Sequence, residues 1–233
     1  MSLPRHITLV LLTIASMRVI AAEPTADDLK HGRKQFQRML EDRPEIAVYR
    51  AEGSPVTQYI TESDAPWQWA LRAFAGIYVN ERVFWDHRPP PHESSSDSTS
   101  PYFHGLYSVS LRPLPQVKTK KLEHAWARFV YEMLTMSRAP ERDHLVHLVY
   151  SRQVSIDAAV REYARLQWSV DKQVEQFYHQ TWRPWARSRG IPSHPHFWSH
   201  DHLSTFESWY EETSSSYDYM REHFENILTP EKK

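Results

Sequence analysis

The chain has 233 residues, with 28 basic and 29 acidic side chains and 14 histidines, for a formal net charge of −1. This near-balance gives no electrostatic basis for binding nucleic acid or an anionic membrane surface. The absence of cysteine excludes disulfides, a cysteine nucleophile and a lipid anchor on an N-terminal cysteine.

The first 22 residues read as a cleavable secretory signal. Arg5 supplies a short positive start, a mostly apolar run follows from Ile7 to Met17, and Ala21 and Ala22 offer small residues for cleavage. The run is too short for a spanning helix, which needs roughly 20 apolar residues, and Arg18 closes it. No later stretch is apolar enough to span. Removing residues 1–22 takes away Arg5 and Arg18 and no acid, so the remaining 211 residues carry a net charge of −3. The expected product is an exported protein, secreted or periplasmic, with one domain over residues 23–233.

Thr25 can cap a helix over 26–41, with Asp27 and Asp28 in its first turn and Leu29, Phe36, Met39 and Leu40 as its apolar stripe. Arg43-Pro44 ends it. A loop through Gly53-Ser54-Pro55 leads to a second helix, capped by Asp64, carrying Trp67, Leu71 and Phe74 and stopping at Gly76. Residues 77–86 and 103–112 read as β segments. Tyr107, Val109 and Leu111 alternate with polar residues in the second. Between them, residues 87–101 form a Pro/Ser-rich stretch with nothing apolar to bury, which reads as a flexible loop. The two segments are expected to pair across it as a small antiparallel element.

The second half reads as helical. Thr119 starts a helix to Arg138 with an apolar face of Leu122, Ala125, Trp126, Phe129, Val130 and Met133. A shorter helix follows Ala139-Pro140. Ser155 caps the longest, and Pro184 is expected to end or kink it. Asp201 or Ser204 starts a helix with Phe206, Trp209 and Tyr210, and a final helix carries Met220, Phe224, Ile227 and Leu228. The fold class is α+β and predominantly helical, with amphipathic helices packed around a small antiparallel β element.

One stretch concentrates candidate chemistry: His194, His196, His200 and His202, with Asp201 among them. Neutral imidazole binds zinc, copper or nickel, and three histidines with an open position suit a catalytic zinc. The same residues also suit a polar loop pinned by Phe197 and Trp198. His144 and His147 share a helix face but cannot make a site alone. Trp85-Asp86-His87 places an acid beside an imidazole, yet adjacent strand residues point to opposite faces. Trp182, Trp185, Trp198 and Trp209 suit a packed core or an exposed stacking surface. Glu207, Glu211 and Glu212 on one helix suit a solvated face as well as paired carboxylates. There is no Gly-rich phosphate loop, nucleophile elbow or calcium loop.

Two functions follow. The favoured one is a non-catalytic envelope or extracellular protein that binds a protein or small-molecule ligand. The alternative is a zinc-type hydrolase or a metal-binding protein using His194, His196, His200 and His202.

Overall fold

The computed structural model describes residues 23–51, 53–78, 84–85, 108–109, 119–198 and 205–228. Residues 1–22, expected as a signal, residues 87–101, expected as a loop, and Asp86, His200, Asp201 and His202 lie outside them.

The protein is predominantly helical, with helices α1 (Ala26–Asp42), α2 (Ala65–Tyr78), α3 (Thr119–Ser137), α4 (Ala139–Tyr150), α5 (Ile156–Phe177), α6 (Arg183–Ser188), α7 (Phe206–Thr213) and α8 (Asp218–Leu228). None of the described helices is long and apolar enough to cross a membrane. Helix starts follow their caps. Thr25 and Asp28 form a reciprocal capping box on α1. The Ser155 side chain accepts from Ala158 N on α5. Thr205, rather than Asp201 or Ser204, caps α7 by accepting from Ser208 N.

Three expectations change. Helix α2 does not stop at Gly76 but continues to Tyr78, taking the first residues expected as β. An antiparallel pair does occur, but earlier. Strand β1 (Val48–Arg50) pairs with β2 (Thr57–Tyr59), with Tyr49 opposite Gln58. The two segments expected as β do pair, through β3 (Phe84–Trp85) and β4 (Ser108–Val109), but in parallel.

Pro184 neither ends nor breaks its helix. The chain passes from α5 into α6 through a π turn, Tyr178–Trp182, and Arg183 N donates five residues back to Tyr178 O. The wider turn accommodates the proline ring and its missing N–H without breaking the rod.

Two apolar clusters share α5. The larger packs Phe36, Phe74, Trp126, Phe129, Trp182 and Trp198 with their neighbours from α1, α2, α3 and the π turn. The smaller packs Leu145, Val160, Phe206, Trp209 and Phe224 from α4, α5, α7 and α8. Val170, Val174 and Phe177 of α5 belong to the first, and Ala159, Val160 and Ala164 to the second. Helices α1 and α2 meet closely at Gly32, where a Cβ would lie 2.7 Å from Leu71 O and 2.8 Å from Ala75 N.

Candidate functional site

The most polar feature of the larger core is Glu123, on the inward face of α3 and fully buried. Its carboxylate gathers donors from two distant segments. Oε1 accepts from Trp182 Nε1 at 3.1 Å, Trp198 Nε1 at 2.9 Å and Ser193 Oγ at 2.9 Å. The His194 backbone N–H reaches both oxygens, at 2.9 and 3.0 Å. Oε2 lies 2.7 Å from His194 Nδ1. A carboxylate oxygen accepts, so Nδ1 is the donor in this contact. A buried acid with this many donors loses little by leaving water. It fixes the 191–198 segment against α3 and the π turn.

A second carboxylate holds the far end of α6. Asp64 Oδ1 accepts from Trp185 Nε1 at 2.9 Å and from the Arg189 guanidinium at 2.5 Å. Its Oδ2 accepts from Thr61 N and Thr61 Oγ1. Burial acts to raise this carboxyl, but the hydrogen bonds from Thr61, Arg189 and Trp185 together hold it below the usual carboxylate range. The same device recurs where Trp85 Nε1 donates to Asp42.

Against this fixed region lies a cleft of about 520 Å³, lined by Tyr178, His179, Arg183, Arg187, residues 190–193 and Pro195. Volumes of this order hold small ligands. His179, Arg183 and Arg187 are exposed, and no acid lines the cleft. A second depression, about 570 Å³, opens between α4 and α8. Its rim mixes Asp143 and Glu222 with Arg142 and His223, over Tyr163 and Met220.

The histidine stretch separates into parts. His194 is held by Glu123. His196 is exposed, with its ring 5.8 Å from that of His194 and 4.1 Å from that of Phe197. His124 of α3 stacks on the same phenyl ring at 5.2 Å. These imidazoles pack around Phe197, and among the described residues no three His, Asp or Glu side chains are arranged to hold a metal ion. His200 and His202 lie outside the described residues.

The other candidates fall into structural roles. His144 and His147 are exposed on α4. Trp85 is buried, and its backbone N–H donates to Gln35 Oε1. Trp182, Trp185, Trp198 and Trp209 are all core residues. Glu207 is exposed and pairs with Arg161 and Arg165.

Sequence reasoning missed Glu123 and the side-chain role of Asp64. A signal for Glu123 was present, since it is an acid set beside Leu122 and one turn before Trp126 on the apolar face of α3. Comparison with protein-family models, curated proteins and solved structures returns no match.

Proposed function

We propose that this is an exported, non-catalytic binding protein, working in the envelope or outside the cell, whose ligand enters the cleft beside α6. The observation that carries the reading is the preorganisation of that cleft. Its floor and walls are attached through Trp182, Trp185 and Ser193 to two buried carboxylates, Glu123 and Asp64. A cavity held this way binds without first paying for ordering its walls. Saturation-transfer NMR against a fragment library tests it. The expected result is a set of fragments that compete for one site and lose binding in Pro192→Trp, which fills the cleft. Fragments that bind wild type and the variant equally would remove the cleft from the function.

One observation favours a second reading, a zinc-type hydrolase or metal-binding protein using His194, His196, His200 and His202. Glu123 orients His194 through Nδ1, as carboxylates orient metal-binding histidines, and leaves Nε2 outside that contact. Metal analysis of the purified protein tests this. One equivalent of zinc, lost in His196→Ala/His200→Ala, supports it. Metal content unchanged by the double variant sinks it.

A further inference from the structure

The cleft beside α6 is a concave site lined by basic side chains and no acid. Seven described arginines pair with an acid: Arg33 with Glu62, Arg128 with Glu132, Arg138 with Glu141, Arg161 and Arg165 with Glu207, Arg189 with Asp64, and Arg221 with Asp157. Arg50, Arg72 and Arg152 are exposed and in no ion pair among the described residues, but they line neither depression. Arg183 and Arg187 make no ion pair among the described residues, although the chain as a whole carries slightly more acid than base. They are exposed, they line a concave site, and the third charge-bearing side chain of the cleft, His179, is also basic. The other depression has acids, Asp143 and Glu222, beside its Arg142 at the rim. A concave site lined by one sign of charge focuses potential and attracts the opposite ion.

The spacing narrows the ligand. Arg183 and Arg187 are four residues apart on α6, one step of about 6 Å along the helix axis. Each guanidinium offers a planar fork that pairs with a phosphate, sulfate or carboxylate through two hydrogen bonds. His179 stands a further four residues back, across the π turn. Packing fixes the helix under these side chains, because Trp182 and Trp185, interleaved with the arginines, are buried on Glu123 and Asp64. The heads are therefore presented as a row from a rigid support.

We propose that the cleft binds a small polyanion carrying two or more oxyanion groups, with Arg183 and Arg187 each taking one. This rests on the binding reading above and names the chemistry of its ligand. The source of the charge is left to the probes: tripolyphosphate for phosphate, sucrose octasulfate for sulfate, citrate for carboxylate, and sucrose as the neutral control.

Isothermal titration of the protein with these four compounds is the test. At least one polyanion should bind with 1:1 stoichiometry, and sucrose should not. Arg183→Ala and Arg187→Ala should each weaken binding about tenfold, as expected for loss of a charge-assisted pair. The double variant should abolish it while keeping the far-ultraviolet circular dichroism of wild type. Arg33→Ala, at a paired surface arginine, should change nothing. Which probe binds tightest assigns the oxyanion. Polyanion binding that survives in the double variant overturns the assignment to this cleft. If no polyanion binds but neutral fragments still compete in the cleft, the anion inference fails and the binding reading stands. If neither binds, both fall.

Discussion

The two cores of this protein share ring-on-ring packing but differ in the contacts added to it. In the larger one, indole N–H groups from Trp182, Trp198, Trp185 and Trp85 donate to the carboxylates of Glu123, Asp64 and Asp42 inside or at the edge of an apolar cluster. In the smaller one, arginines lie over the packed rings instead. The Arg165 guanidinium sits 4.1 Å above Phe206, and Arg161 covers Phe206 and Tyr210. Buried polar hubs are directional, so they specify one arrangement of the segments they join. Aromatic and cation–π contacts are more tolerant of small shifts. The cleft lies beside the directional core, where its walls are fixed.

The largest effect should come from removing the hub. Glu123→Leu leaves two buried indoles, a serine and the His194 N–H and ring without their acceptor, and should cost about 3–5 kcal/mol in urea unfolding. Glu123→Gln, which keeps an acceptor oxygen, should cost less. If the two variants are equally stable, the contrast between the cores is wrong. Next comes the close approach of α1 and α2. Gly32→Ala places a methyl against the α2 backbone and should cost about 3 kcal/mol, measured the same way.

A third test lies at the seam between the cores. Burial pushes the Glu132 carboxyl up to about 7, although Arg128 and Arg142 pull it down. One of its oxygens, Oε2, has no hydrogen-bond partner among the described residues. The folded state therefore holds this proton more tightly than the unfolded chain, whose carboxyl titrates near 4.5. This contribution is fully present below that value and is lost as pH rises to about 7. Glu132→Gln should flatten that dependence and should be more stable than wild type at pH 8 by on the order of 2 kcal/mol. Parallel pH–stability curves for the two proteins would refute it. The smallest effect belongs to the tolerant core, where Arg165→Ala should cost about 0.5–1 kcal/mol in thermal unfolding.

Much of the fold was legible because helix signals are local. Thr25 with Asp28, and Ser155 three residues before Ala158, announce α1 and α5 within a single turn. The β1–β2 pair was read as a loop because each strand has only three residues, too few to show a period of two. Helix α2 overran Gly76, which does not take the positive φ of a C-terminal glycine stop. The clamp was hidden for another reason. The donors to Glu123 lie 59 to 75 residues further along the chain, and nothing local links an acid on α3 to an indole at Trp198. Sequence reasoning marked the 194–202 stretch for its imidazoles, whereas in the structure His194 chiefly ties that stretch to the core.

The π turn carries one more consequence, which is a matter of phase. A turn that holds one extra residue rotates everything after it by about 100° relative to an unbroken α-helix. Buried positions along this rod run Val170, Val174, Phe177, then Tyr178, Trp182 and Trp185, and the single step from Phe177 to Tyr178 marks the slip. That rotation keeps Trp182 and Trp185 inward and leaves Arg183 and Arg187 outward, beside the 190–195 segment. The same residues in an unbroken α-helix would swing Trp182 about 100° off the core face, whereas deleting one residue between 178 and 182 would restore a regular helix and keep Trp182 and Trp185 in phase with Val170, Val174 and Phe177. The irregular turn thus acts as a gear tooth, setting which face of α6 meets the core and which meets the cleft.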